Sequence, residues 1–302
     1  MSSDNKEYNF DTSELAKNPV AKFFMSGWSH IVRLMGANAL FLIFNIPAIV
    51  IAYALAAFLL PALIPSFNLE GFIQIAVEGG TTEVSYQLYL LLLFLFITFL
   101  VSSLLICVGP FQAGFQQVYR DIRNEVSFSL FGSFKAGIKS GWKKSLVMMF
   151  IGIIVAAICL LAITFYKNMN STFGTVIGSV FVVLLFAFIL IQNFAYELLI
   201  STDLKLGQIY KNSFLFLLIR FVPCLGVAAV VIIFYLLIPF FLLMSASFLT
   251  LGIFIFLYSF IVISWVQYFM SSFAGKLIDR YVADANDEEL ENVEENSDNT
   301  IE

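Results

Sequence analysis

Apolar positions in this chain come in unbroken blocks rather than in the alternating or every-third-residue patterns of a half-buried surface, and the polar positions are collected between the blocks. A helix that crosses about 30 Å of hydrocarbon needs about 20 consecutive apolar residues, because lipid offers no partner to a free backbone group. Six stretches meet that length: Ala39 to Leu60, Leu88 to Val108, Leu146 to Phe165, Phe173 to Leu198, Phe221 to Leu243 and Phe248 to Met270. None carries a charge in its central turns. The pattern predicts an all-α, polytopic membrane protein with about six transmembrane helices.

The polar segments between the blocks carry a second pattern. Of the 16 Lys and Arg, 15 fall in alternate segments and Lys167 alone falls in the others, in phase with six crossings. Lys and Arg are retained on the cytoplasmic side of a membrane, so this phase predicts a multi-pass plasma-membrane protein with both termini cytoplasmic. It divides the chain into a cytoplasmic segment 1–36, a membrane domain 37–270 with cytoplasmic loops 109–145 and 199–220 and an outer loop 61–87, and a cytoplasmic tail 271–302. The first thirty-odd residues lack the short apolar core of a signal peptide, which makes the first span an expected uncleaved anchor. The outer loop interleaves Glu70, Glu78 and Glu83 with Phe67, Phe72 and Ile75 and is expected on the outer interface. The tail from Asp284 holds nine acids and no base, too little apolar surface to fold, and is expected to be disordered.

Within the inner segments the spacing changes from blocks to stripes. Pro110 to Ile122 reads as a helix extending the second span past the bilayer. In the next helix Phe131, Phe134, Ile138 and Trp142 recur at three, four and four, beside Lys135, Lys139 and Lys143 at four. A helix so built is expected to lie flat, with rings in the acyl boundary and lysines at anionic headgroups. With Arg120, Arg123, Asp203 and Lys205 this stripe forms a candidate face for lipid contact or for docking a cytoplasmic partner. Asn18-Pro19 reads as the start of another interfacial helix, with Phe24, Trp28, Ile31 and Met35 on one side. Its His30 has no partner ligand nearby in sequence. Thr202 or Asp203 is expected to cap a short helix in the third inner segment.

Composition sharpens the picture chiefly by exclusion. The chain is 60% apolar and 12% charged, with 35 Phe, where a soluble domain is about 45–50% apolar and about 25% charged. Cys107, Cys159 and Cys224 lie in apolar runs without metal-ligand spacing and read as packing residues. Motifs for zinc hydrolases, nucleotide loops or serine nucleophiles are missing, so the chain is read as non-enzymatic and without a cofactor; it lacks the wet basic surface that nucleic acid requires. Ionisable groups in lipid are costly and are tested first as functional candidates. Glu197 at the end of the fourth span and Arg220 at the start of the fifth are expected at similar depth, where they could pair. Asn45, Gln192, Asn193 and Gln267 complete a candidate polar cluster, either as interhelical links or as a cavity lining. Pro47, Pro223 and Pro239 are each expected to free a carbonyl and bend a span.

The order Gly109-Pro110-Phe111-Gln112-Ala113-Gly114, Val118-Tyr119-Arg120, Arg123-Asn124-Glu125, Phe134-Lys135 and Gly141-Trp142-Lys143 resembles the YesL-like family of bacterial integral membrane proteins. Tyr196-Glu197-Leu198, Thr202 through Leu206, Ile209 through Asn212, and Asn45-Ile46-Pro47 extend the resemblance over roughly Asn38 to Val230. The outer loop and the acidic tail depart from it. The resemblance implies residence in a bacterial plasma membrane and an accessory link to carbohydrate import of the ABC type, with ABC transporter subunits or another membrane complex as partners. It brings no catalytic residue. The competing expectation is a small-molecule transporter or channel in its own right.

Overall fold

A computed structural model describes the backbone of residues 19–63, 82–126, 129–245 and 247–298, and side chains over 23–62, 88–126, 129–245 and 247–281. Among the described residues the regular structure is helical throughout, without a strand, which pairs the backbone groups of each helix interior within their own segment. The helices are α1 (Pro19–Ser29), α2 (Ile31–Phe44), α3 (Ile46–Leu63), α4 (Thr82–Ser102), α5 (Gly109–Arg123), α6 (Leu130–Asn168), α7 (Thr172–Ser201), α8 (Leu206–Ile219), α9 (Phe221–Ile232), α10 (Ile238–Met244), α11 (Phe248–Phe260) and α12 (Val262–Asp298). A π-helical turn, Ile233–Leu237, joins α9 to α10. The polar N-terminus and most of the outer loop lie outside the described residues.

Among the described residues three helical runs are each long and apolar enough to cross a membrane, α6, α7 and Phe221–Met244, and the number rises to as many as five where each of two bent pairs counts as one span. The chain is thus an all-α helical membrane protein, but the spans are less regular than six rods. The first expected span is broken at Asn45 into α2 and α3. The sixth is broken at Ile261, where α11 and α12 meet at 44°. The second stops at Ser102 rather than Val108, and residues 103–108 form a buried, non-helical passage. Pro47 and Pro223 do not bend helix interiors. They sit in the first turns of α3 and α9, where the missing N–H costs nothing. Pro239 follows the π turn, and the carbonyl of Phe234 in that turn accepts from the Tyr258 hydroxyl, while Phe221–Met244 runs on as one span.

The inner segments differ most from expectation. α5 does not prolong the second span into water; Gly109, Gln112, Ala113, Gly114, Phe115, Gln116, Val118, Tyr119 and Ile122 are all buried, and the helix lies in the middle of the molecule between α6, α7 and α12. Small residues allow this approach. A Cβ on Gly137 would stand 2.5 Å from the Ala113 carbonyl oxygen, and one on Gly114 would stand 2.6 Å from the Phe134 ring. The stripe Phe131 to Trp142 is not a separate flat helix either. It is the first part of α6, a continuous helix of 39 residues, about 58 Å long, so the lysine-bearing end projects past the apolar part. The acidic tail is helical to Asp298 rather than structureless. Starting a helix is its costly step, and α12 reaches the tail already formed.

Hydrogen bonds tie the ends of several helices together. Arg120 Nη1 donates to the Ile200 carbonyl at 2.8 Å and Lys144 Nζ to the Leu204 carbonyl at 2.9 Å, joining segments assigned to one side. At the other end Asn168 Nδ2 donates to the Ala62 carbonyl at 3.3 Å.

Candidate functional site

The polar face of α5 organises the centre of the bundle. Gln112, Gln116, Tyr119 and Arg123 follow one another at four, three and four residues, so they stand on one stripe, and they meet polar groups of α7 and α12. Glu197, fully buried, accepts from Arg123 Nη1 at 2.6 Å, from Gln116 Nε2 at 2.6 Å and from the Ser271 hydroxyl at 2.9 Å. Arg123 Nη1 also donates to the Ser271 carbonyl at 3.0 Å. Its Nη2 stands 3.7 Å from the exposed Asp279 carboxylate, an ion pair too long for a hydrogen bond. The guanidinium occupies space left by Gly275, where a Cβ would fall 1.5 Å from Nη1. With both charges nearly out of water, at 7% and 0% exposure, the pair depends on the further hydrogen bonds to the Glu197 carboxylate and from Arg123 Nη1, while Nη2 is left without a hydrogen-bond partner.

This arrangement corrects the expected pairing of Glu197 with Arg220. Arg220 sits half-buried at the junction of α8 and α9, and its Nε has no hydrogen-bond partner. Arg123, placed by the sequence on a docking face, is instead the partner inside the bundle.

One turn along the stripe, Gln267 Oε1 takes Gln112 Nε2 at 3.4 Å and lies 3.2 Å from the Tyr119 hydroxyl, which also has Ser264 Oγ within 3.1 Å. Gln267 Nε2 donates to the Ser102 carbonyl at 3.3 Å. The other amides of the expected cluster are dispersed. Asn45 accepts at 2.9 Å from the backbone N–H of Val108, the N-cap residue of α5, and donates to the Phe41 carbonyl at 3.0 Å. Gln192 donates to the Met148 carbonyl at 3.2 Å and accepts from the Tyr210 hydroxyl at 2.9 Å. Asn193 donates to the Met270 carbonyl at 3.0 Å. Asn38, missed in the sequence, clamps the break at Ile261: its Nδ2 donates to the Tyr258 carbonyl at 2.8 Å and its Oδ1 accepts from Ser264 N at 2.7 Å. Asn45 and Asn38 supply bonds where helices are interrupted, the role a hydrocarbon environment demands, whereas Gln192 and Asn193 link continuous helices to one another.

The passage 103–108 is the irregular part of the centre. Leu104 adopts a left-handed backbone at φ 67°, a conformation that costs a branched residue about 1 kcal/mol or more. Beside it, Ser102 Oγ, Ser103 Oγ and Gln112 Oε1 are buried without a hydrogen-bond partner.

The candidate surface divides. Phe134 is only 2% exposed, its ring 4.8 Å from that of Phe115 and 5.0 Å from that of Phe44, so it belongs to the core. Ile138 and Arg120 are half-buried. Phe131, Lys135, Lys139, Trp142 and Lys143 are exposed, with the Lys143 ammonium 6.0 Å from the Trp142 ring centre. Asp203 and Lys205 are exposed near the start of α8. Neither Thr202 nor Asp203 caps α8: Thr202 Oγ1 donates back to the Leu198 carbonyl at 2.7 Å, and Lys205 is the N-cap residue, its backbone N–H taken by Gln208 Oε1 at 3.0 Å. The three cysteines are buried free thiols. Among the described residues no group of three His, Cys, Asp or Glu could hold a metal.

Sequestered charge at the centre, amides spent on broken helices and apolar residues facing outward define a helical membrane protein with a polar knot in its core. Compared with protein-family models, with curated proteins and with solved structures, the chain matches none. The functional reading therefore rests on the geometry.

Proposed function

We propose that this is a non-enzymatic, multi-pass protein of a bacterial plasma membrane that serves as an accessory to another membrane complex. Its Lys- and Arg-rich end faces the cytoplasm, with both termini on that side. The observation that carries the reading is the saturation of Glu197 by Arg123, Gln116 and Ser271. The charged pair in the bundle is engaged in holding α5, α7 and α12 together, which leaves the exposed row of Phe131, Lys135, Lys139, Trp142 and Lys143 for recognition. Aromatic rings interleaved with cations suit a protein partner of complementary charge at the membrane surface. The resemblance to the YesL-like family directs the choice of partner to carbohydrate importers of the ABC type. Purification of the tagged protein in mild detergent is expected to recover transporter subunits, and K135E/K139E/K143E is expected to release them. Repeated recovery of no membrane complex with the wild type would reject the reading.

A transporter or channel is the second reading, favoured by one feature: the interrupted backbone at 103–108 beside the unpaired oxygens of Ser102, Ser103 and Gln112. Interrupted helices at substrate sites use such exposed polar groups. Solute flux through sealed liposomes above that of protein-free vesicles would select it.

A further inference from the structure

A groove runs along the outside of α12, between α1 on one side and the π turn region on the other. Its upper part, about 830 Å³, is walled by Phe24, Trp28, Phe234 and Trp265. A second part of about 320 Å³ shares Phe24, Phe234, Trp265 and Val266 with the first and continues past Phe269 to Ser272 and Lys276. The two parts are contiguous and of the size that holds a small amphiphile. From Ile261 to Lys276 the helix advances about 22 Å, so the groove is long and narrow rather than round. Its walls are almost wholly apolar and aromatic except at one end, where Ser272 and Lys276 stand one helical turn apart on the same face.

Two observations at that end point to a ligand. Ser272 is only 5% exposed, yet its hydroxyl has no hydrogen-bond partner within the protein, an arrangement that is unfavourable unless something else supplies the bond. Lys276 adds positive charge at the same place, six residues beyond the last apolar block and therefore at headgroup depth. An apolar channel ending in a hydroxyl donor and a cation is complementary to one molecule of the surrounding solvent: a phospholipid with an anionic head. We infer that this groove is a lipid-binding site, with an acyl chain between α1 and the π turn and the phosphate held by Ser272 and Lys276. The site is separate from the lysine row of α6, and the buried hydroxyl of Ser272 distinguishes it from general attraction to an anionic surface.

The three tryptophans of the chain provide the readout, because Trp28 and Trp265 wall the groove while Trp142 lies elsewhere. The full-length W142F protein would be reconstituted in phosphatidylcholine vesicles, and its fluorescence quenched with phosphatidylglycerol or phosphatidylcholine carrying brominated acyl chains. Brominated phosphatidylglycerol is expected to quench with about fivefold higher apparent affinity, the equivalent of roughly 1 kcal/mol from one lysine. In S272A/K276Q the preference should vanish while quenching by brominated phosphatidylcholine stays unchanged. Val230→Phe, which fills the groove from the opposite wall and leaves both head-group residues in place, should weaken quenching by both lipids. Equal quenching by the two lipids in W142F would overturn the site, as would a preference that survives in both variants.

Discussion

Glu197 and Arg123 illustrate how a single residue's cost depends on its neighbours. Removing one member of a buried ion pair leaves the other charge stranded, at about 3–5 kcal/mol, whereas replacing both with apolar residues is often neutral. Glu197→Ala is therefore expected to lower the thermal denaturation midpoint in detergent sharply, and R123M/E197L to recover most of the loss. A double variant as unstable as the single one would show that the knot is needed for more than neutralising charge. Gly275→Ala tests the same site from outside the pair. Its Cβ would land on the guanidinium, so it should destabilise by about 1–3 kcal/mol, although Ala is ordinarily the better helix former. Gly226→Ala is the control, since nothing lies within 4 Å of the added carbon; its midpoint should hold or rise. Of the residues at this site, Glu197 was legible as a buried charge because it ends an apolar block. Its partner was not. Arg220 follows an apolar stretch and Arg123 closes an amphipathic one, and only packing brings the second of them to 2.6 Å.

Elements in this protein are decided by where their ends find hydrogen bonds. The breaks at Asn45 and Ile261 and the passage 103–108 interrupt apolar blocks that, on hydropathy alone, read as continuous spans. Each interruption exposes backbone groups, and two of the three are met by amides from elsewhere in the chain: Asn45 and Gln267 at the two ends of 103–108, and Asn38 across Ile261; at Asn45 the side chain turns back to the Phe41 carbonyl. Asn38→Leu removes both bonds across the α11–α12 bend. It should cost about 1–3 kcal/mol per orphaned buried group and hasten hydrogen exchange at Ser264 N, while exchange in α6 stays unchanged. Equal acceleration throughout the bundle would argue against a local clamp. The burial of α5 had one sequence signal, the polar stripe Gln112, Gln116, Tyr119 and Arg123 at helical spacing. A stripe with that composition fits a soluble surface as well as a buried network, and the arginines drew it toward water in the sequence reading.

At the scale of the whole molecule, the association of segment ends bears on topology. Arg120 with Ile200 and Lys144 with Leu204 gather one end of the bundle; Asn168 with Ala62 gathers the other. Single cysteines at Lys139, Asp203 and Asn168, in a background lacking Cys107, Cys159 and Cys224, should reproduce that division in intact cells. An impermeant maleimide is expected to label only the Asn168 position. Labelling at Lys139 or Asp203 in sealed cells would reverse or dissolve the orientation proposed above.

What the sequence determined by itself was the solvent and, through it, the secondary structure. Hydrocarbon forbids unpaired backbone, so long apolar blocks must be helical, and their existence follows from composition along the chain without knowledge of any contact. Tertiary structure decided everything that depends on a second element: which arginine neutralises Glu197, that α5 lies inside rather than beyond the bundle, and that Ser272 and Lys276 close one end of an apolar groove. Those outcomes rest on distances between residues far apart in the chain, and a pattern read along one strand of sequence carries spacing within an element but not the packing between elements.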